Sequence, residues 1–422
     1  MRPSILEMPL PHADQGTSYR FVVLGVMSFL TFSAGLNMFA VGPVMPMIIN
    51  HYEISYGVAG LLISITFLVH LLAIPVSQLV AYISLKKLIF FGGFLNSVTL
   101  LTFLAADSFP FLLTIRGIFG CGLMLHFISS GSLFLKWFNP KERPFASGMF
   151  TCGVVLGITV ASFIAGPLAQ IIGWKATLSI FGGVSVLSTV SWLILGRDGE
   201  RVKPNRGGHV LAKILIGVKS RDTLLVTLAD LGPLCLLTAC FAWLPTFYSE
   251  TYGFSLVKAG SLMGVMSLAG FISLLAATVL GVRFARRRPF LIVPGVLIGF
   301  SGFGSFLLTD STMLYVAIVA LGFSTWFYLP GLMTIPMDLY PDDPRRIALI
   351  FGTLMAFGGI ASFAVPWVVG VITDITGSFL PGLFLFAILS WSLLVSGILL
   401  PETGSSIKRL IEQSKRTPPN TL

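Results

Sequence analysis

Residues 110–136 read PFLLTIRGIFGCGLMLHFISSGSLFLK, an apolar run long enough to cross a membrane. A helix needs about 20 mostly apolar residues to span the hydrocarbon core. Fixed charge enters this run at Arg116 and at the closing Lys136. Because a charge inside the bilayer is costly, Arg116 needs a partner or a ligand. The run therefore predicts a transmembrane helix that carries one residue with a specific role.

Similar apolar runs fill the rest of the chain, of which 55% is apolar and 10% is charged. Soluble proteins carry about 25% charged residues, so most side chains here must face lipid or other helices. Lipid admits helices or closed barrels, and long continuous runs indicate helices. The sequence predicts an all-α integral membrane protein. Its twelve expected spans are 20–48, 57–83, 88–106, 110–136, 145–172, 176–196, 222–248, 257–281, 289–308, 312–337, 347–373 and 379–400.

The net charge of +10 comes from the loops and not from a nucleic-acid-binding domain. Of the 27 Lys and Arg residues, 24 lie in the termini and in alternate loops, whereas the opposite loops hold Lys175 and Lys258. Cytoplasmic loops retain Lys and Arg, so we expect both termini in the cytoplasm and the chain in the cell membrane.

The two halves of the chain repeat each other. Residues 54–60 read ISYGVAG and residues 254–260 read FSLVKAG, which share Ser-x-x-x-Ala-Gly at a spacing of 200. The basic pairs 86–87 and 286–287, and the glycines 122 and 322, recur at the same spacing. We therefore expect two six-helix bundles, at 1–196 and 222–404. The linker 197–221 is either an interfacial helix or a flexible segment, and 405–422 is a cytoplasmic tail.

Several motifs resemble those of the major facilitator superfamily. The fourth span carries R-x-x-x-G-x-G at 116–122, and a loop motif follows at 137–143. The sequences Gly-Trp-Lys at 173–175 and Pro-Glu-Thr at 401–403 resemble the family's helix ends. The resemblance implies two pseudo-symmetric six-helix bundles around a central cavity, with alternating access. One departure is the loop between spans two and three, where Ala81 occupies the family's acidic position.

Polar residues inside the spans are the candidates for substrate binding or coupling, and they are Arg116, Asp230, His70, His126, Asn37, Trp326 and Tyr328. Arg116 can hold a carboxylate with two parallel hydrogen bonds, or it can donate to backbone carbonyls. Asp230 could carry a proton, or it could be a shallow acid that cytoplasmic water reaches. The histidines could pass a proton, or they could be packing residues. Trp326 and Tyr328 precede a predicted bend and could form a gate or an aromatic cluster. The conformational candidates are Lys86, Lys87, Arg143, Pro330 and Gly331.

The intramembrane charges favour a secondary active transporter of a small, carboxylate-like anion that moves with a proton. An exporter of amphipathic or drug-like compounds is the alternative within this class. A non-transporting receptor or scaffold on the same fold is the alternative outside it. We expect no enzyme activity, cofactor or metal, because no catalytic motif appears and the four cysteines lie within spans without ligand spacing. The expected partners are a small solute, a proton and lipid, with no nucleic acid, and the chain is expected to be a monomer.

Overall fold

The computed structural model describes residues 18–72, 76, 83–104, 108–139, 142–198, 220–283, 286–340 and 343–403. These residues form helices and connecting turns, with no strand among them. We number the long helices α1 to α12. Their bounds are Tyr19–Tyr52, Tyr56–Leu68, Leu85–Phe103, Phe109–Trp137, Arg143–Ile172, Trp174–Leu195, Arg221–Thr251, Leu256–Arg283, Pro289–Leu307, Ser311–Leu339, Pro344–Thr376 and Leu380–Leu399.

The predicted all-helical membrane fold is confirmed. In the described ranges, eleven helices are long and apolar enough to cross a membrane. The remaining helix, α2, has 13 residues and continues as a 3₁₀ turn over Val69–Leu72. Most of the predicted second span beyond that turn lies outside the described residues. So do nearly all of the predicted linker and the C-terminal tail.

Three helices are interrupted along their length, and one of them is α12, which consists of Leu380–Ser390 and Ser392–Leu399 with Trp391 at the break. α1 consists of the segments Tyr19–Met38 and Val41–Tyr52, with a break at residues 39–40. α10 consists of Ser311–Phe327 and Leu329–Leu339, with Tyr328 at the break. The α10 break falls two residues before Pro330, at the place where the sequence predicts a bend. The α1 break lies inside a span that the sequence treats as continuous.

The helices pack as two groups, α1–α6 (the N-half) and α7–α12 (the C-half). In each half the first helix starts beside the end of the sixth. Tyr19 Oη donates to the Leu195 carbonyl at 2.8 Å, and Arg221 Nη2 donates to the Leu399 carbonyl at 3.5 Å. We call this side of the molecule the terminal face and the opposite side the distal face.

Equivalent contacts recur in the two halves. Gly120 of α4 lies so close to the Thr66 carbonyl of α2 that a Cβ would overlap it, and Gly322 of α10 lies the same way against Met266 of α8. At the terminal face of each half, an acid just beyond the sixth helix accepts a backbone N–H at the start of the third helix. The Lys86 N–H donates to Asp198 Oδ1 at 2.9 Å, and the Arg287 N–H donates to Glu402 Oε1 at 2.6 Å. This repetition supports a duplicated six-helix unit.

The halves meet mainly through three helix pairs, α1 with α7, α2 with α11, and α5 with α8, with a smaller contact between α1 and α8. Phe39 at the α1 break stacks on Phe241 of α7 with ring centroids 4.8 Å apart. Between α5 and α8, the Thr159 and Ser267 hydroxyls are 2.8 Å apart. The α1–α7 and α2–α11 contacts lie towards the distal face, which is closed in this conformation.

Tight glycine packing predicts a stability difference that can be measured. Gly322→Ala places a methyl group against the Met266 carbonyl, whereas the new Cβ of Gly131→Ala in α4 has no atom within 4 Å beyond the neighbouring backbone of its own helix. Overpacking costs about 1–3 kcal/mol, while glycine in an open helix position loses up to about 1 kcal/mol relative to alanine. We expect Gly322→Ala to lower the melting temperature of the purified chain and Gly131→Ala to maintain or raise it. Equal melting temperatures would contradict the observed packing.

Candidate functional site

Arg116 is buried beside the break in α1, with 3% of its surface exposed. Its Nε donates to the Leu62 carbonyl of α2 at 3.0 Å. Its Nη1 and Nη2 donate to the Asn37 and Met38 carbonyls of α1, each at 2.8 Å. One side chain on α4 therefore binds both α1 and α2.

The break in α1 explains why a carbonyl is available to Arg116. In an unbroken helix the Met38 carbonyl would accept from the Gly42 N–H. Here the Gly42 N–H donates to the Phe39 carbonyl at 3.0 Å. An unpaired carbonyl in hydrocarbon is unfavourable, and the C-terminal end of a helix carries partial negative charge. The Arg116 guanidinium pairs with the free carbonyl and places a positive charge at this helix end.

Arg116 has no carboxylate partner within the described part of the chain. The ion pairs found there are Arg20 with Glu142 at 2.9 Å and Arg287 with Asp338 at 3.3 Å. A guanidinium has five N–H donors, and the three carbonyl bonds use three of them. Two N–H groups are left at this position, and the charge has a cation–π contact with the Phe119 ring at 5.0 Å but no carboxylate in the described chain.

Asn37 lies between α1 and α6 and not at the junction of the halves. Its Nδ2 is 2.9 Å from the Ser33 carbonyl, 3.0 Å from the Phe181 carbonyl and 3.2 Å from Ser185 Oγ. Ser33 and Ser188 continue this contact with their hydroxyls 2.8 Å apart. The Nδ2 group of Asn37 is therefore occupied inside the N-half, and a position of Asn37 on a central cavity stays a prediction.

His126 also lies inside the N-half. Its Nδ1 is 3.2 Å from Asn96 Nδ2, and its ring packs against Gly92 of α3. Its Nε2 is buried without a partner among the described residues. The structure separates His126 from Arg116 and from the C-half.

His70, in contrast, lies where α2 meets α11 of the other half. A Cβ built on Gly359 would be 3.4 Å from His70 Cβ. The His70 Nδ1 is buried and has no partner within the described ranges. Its ring lies 5.7 Å from that of Phe67, which lies 6.1 Å from Phe39 at the α1 break. His70 thus places a buried Nδ1 without a partner in the described ranges at the junction of the halves.

Asp230 and Tyr328 come together in the C-half. Tyr328 Oη donates to Asp230 Oδ1 at 2.9 Å, and both residues are buried. The α10 break places Tyr328 in position to reach α7. Trp326, two residues earlier, packs on Gly270 of α8 and takes no part in this pair.

The conformational candidates each contact their own half. The Lys87 N–H donates to Ser84 Oγ at 3.3 Å, and Arg143 Nε donates to the Phe138 carbonyl at 3.1 Å. Lys86 contributes the backbone contact with Asp198 already described. Pro330 and Gly331 follow the α10 break, where Gly331 packs against Phe290 of α9. Their role in gating stays a prediction.

The hollows among the described residues include two apolar ones. One, of about 510 Å³, is an open apolar groove on α8 around Leu275. The other, of about 70 Å³, lies between α7 and α11 and is lined by Leu224, Thr227, Leu228, Leu231, Thr353 and Phe357. Neither is lined by both halves, so the central cavity that the resemblance implies stays a prediction.

Sequence reasoning missed the residues that join the halves at the distal face. The Tyr56 and Gly57 N–H groups donate to Asp374 Oδ1 and Oδ2, each at 2.8 Å. Asp374 lies in the last turn of α11, where the helix dipole disfavours a negative charge. An acid at that position was a usable signal for a partner outside its own helix.

Comparison with known proteins agrees with this architecture. The sequence model of the Major Facilitator Superfamily matches residues 27–366. The chain is 25% identical to the hexuronate transporter of Bacillus subtilis, over 67% of this chain and 70% of that one. It is 25% identical to the D-galactonate transporter of Escherichia coli O6:H1, over 68% of this chain and 74% of that one.

A solved structure gives the same fold. It is the inward-facing, occupied form of a bacterial homologue of the human lysosomal transporter Spinster, with a TM-score of 0.68 and 17% identity. The match covers 94% of this chain and 98% of that one. The relatives are transporters and not enzymes, as expected. From its sequence match, its helices and its duplicated halves, the chain belongs to the Major Facilitator Superfamily.

Proposed function

We propose that this chain is a secondary active transporter of a small carboxylate-bearing anion, and that Arg116 binds the anion. The observation that carries the proposal is the burial of Arg116 without a carboxylate partner in the described chain. The hexuronates and D-galactonate named for two relatives are sugar acids, which supports this substrate class.

The energetics of a buried cation favour this reading. A charge in a low-dielectric interior loses several kcal/mol of hydration, and carbonyl dipoles replace part of that loss (about 1.5–3 kcal/mol per bond). A carboxylate on the two remaining N–H groups would supply the missing countercharge. Planar carboxylates match the guanidinium fork, so one residue can confer both affinity and orientation.

Alternating access is the mechanism that the duplicated halves support. The distal side is closed through the three helix pairs between the halves. Moving the anion across would require those contacts to open while the terminal side closes. Each chain carries both halves, so we propose a monomer as the working unit.

Substrate binding through Arg116 is tested with the purified chain by thermal shift. D-galactonate and D-glucuronate are compared with neutral D-galactose. A ligand at a hundred times its Kd stabilises the folded state by about 2.7 kcal/mol. We expect both acids to raise the melting temperature and the neutral sugar to leave it unchanged. Arg116→Lys keeps the charge but loses the planar fork. We expect it to weaken the affinity for the acids by at least about tenfold and so to reduce the rise in melting temperature.

The matched control for that experiment is Arg20→Lys, the same exchange at a residue of α1 paired with Glu142 at the terminal face. It should respond to the acids like the unmodified chain. A full response in Arg116→Lys would remove Arg116 from the binding site. A response to amphipathic dyes and not to acids would favour the exporter of drug-like compounds.

We also propose that a proton moves with the anion, and that Asp230 carries it. Asp230 is a buried carboxyl inside a span, with one hydrogen bond from Tyr328. Protonation would neutralise the Asp230 carboxyl, and a neutral carboxyl is less costly in conformations that exclude water. His70 at the junction of the halves is the second candidate for the proton path.

Coupling is tested by reconstituting the chain in proteoliposomes. An imposed pH gradient should drive uptake of labelled D-galactonate by the unmodified chain. Asp230→Asn cannot release a proton, so gradient-driven uptake should fall to the leak rate while exchange of internal for external anion continues. Asp310→Asn, a distal helix cap, is the control and should retain both activities. Undiminished gradient-driven uptake in Asp230→Asn would contradict the assignment, and binding without any flux would favour the receptor.

We propose that the terminal face is cytoplasmic and that the membrane is the cell membrane. The excess of Lys and Arg in the loops of that face supports this orientation. A C-terminal fluorescent-protein fusion expressed in a bacterium should be fluorescent, and a C-terminal alkaline-phosphatase fusion should be inactive. The opposite pair of results would reverse the orientation.

A further inference from the structure

We propose that Asp374 of α11 is a latch that holds the distal side of the molecule closed by binding the first turn of α2 across the halves. Its two carboxylate oxygens each accept one backbone N–H, from Tyr56 and from Gly57, at 2.8 Å. A carboxylate at a helix N-terminus also gains from the helix dipole. Separation of α2 from α11 at the distal face must break both bonds.

Tyr56 is held by the C-half at several further points. Its hydroxyl donates to Glu250 Oε2 of α7 at 2.8 Å. Its ring lies 5.0 Å from that of Phe379 and 6.0 Å from that of Trp243, edge to face in both cases. One residue at the start of α2 therefore meets α7, α11 and the turn that follows α11.

Glycines allow this approach. A Cβ on Gly57 would lie 2.9 Å from Asp374 Oδ2, and a Cβ on Gly370 would overlap the Tyr56 carbonyl. One helical turn deeper, a Cβ on Gly60 would lie 2.5 Å from the Pro366 carbonyl. The two backbones thus touch over the first two turns of α2.

The symmetry-related junction between the halves, α5 with α8, shows that close packing does not require the carboxylate. There, Gly166 of α5 lies against the Leu256 carbonyl of α8, with its Cβ position 2.6 Å away. The residue four positions after Gly370 is Asp374, whereas four positions after Gly166 it is Gln170. The repeated fold therefore packs α5 against α8 with a neutral residue, and adds a charged contact between α2 and α11.

The test measures how often the α2–α11 junction opens, without any substrate, so its result is independent of the anion assignment. Ser64 is fully buried and lies on the same face of α2 as Gly57, two turns deeper. Ser64→Cys places a thiol there with little change in volume. The rate of its reaction with a soluble maleimide is measured in detergent, and the rate of the unmodified chain, with its four cysteines, is subtracted.

Asp374→Asn in that background replaces one acceptor oxygen by an amide NH₂, which cannot accept a backbone N–H. Loss of a helix cap shifts an equilibrium by about fivefold, so we expect labelling about five times faster. Asp310→Asn is the matched control. Asp310 caps α10 at the same face with one oxygen, which accepts from the Met313 N–H at 2.9 Å, and asparagine can retain that bond.

Tyr56→Phe removes only the hydrogen bond to Glu250 and should speed labelling by about twofold. This second variant keeps the proposal testable if Asp374→Asn does not fold. The latch is refuted if Asp374→Asn and Tyr56→Phe both label at the rate of Ser64→Cys alone. Equal acceleration by Asp310→Asn would also refute it, because that result would indicate general loosening of the distal face.

Discussion

Hydrocarbon offers no partner to an unpaired carbonyl, and the fold depends on how that constraint is met at the break in α1. At this break Phe39 stacks on Phe241 of the other half. The break frees carbonyl oxygens in the membrane, and Arg116 supplies the donors from α4. The same guanidinium reaches α2 through Leu62. One buried cation therefore fixes three helices of the N-half at the level where the halves meet.

On the α7 side of the α1–α7 contact there is also a backbone carbonyl without a partner in its own helix. Pro245 of α7 has no N–H, so the Phe241 carbonyl one turn earlier has no intrahelical partner. Gly42 of α1 lies directly against that carbonyl, where a side chain would not fit. An interrupted α1 and a proline-containing α7 thus meet backbone to backbone. Small residues at such a contact allow the two backbones to approach closely.

Much of the fold could be predicted from the sequence, because length and hydropathy identify spans and the spacing of 200 identifies the duplication. The rotation of each helix about its axis could not, since these helices are apolar on all sides. The sequence named Asn37 as a cavity candidate but did not show that its Nδ2 bonds to α6. His126 bonds within the N-half, whereas His70 reaches the junction. Arg116 and Asp230 were identifiable, because burial of a charge requires a partner whichever way the helix faces, but the pairing of Asp230 with Tyr328 was not predicted.

In the proposed mechanism Arg116 shares its charge between the broken helix and a transported anion. The most direct measurement is a structure of the chain with D-galactonate bound, determined by cryo-electron microscopy. The predicted result is a carboxylate with its oxygens about 3 Å from the Arg116 nitrogens. An anion bound elsewhere, with Arg116 still donating to Asn37, Met38 and Leu62 as it does here, would show that this residue stabilises the fold and does not bind the substrate.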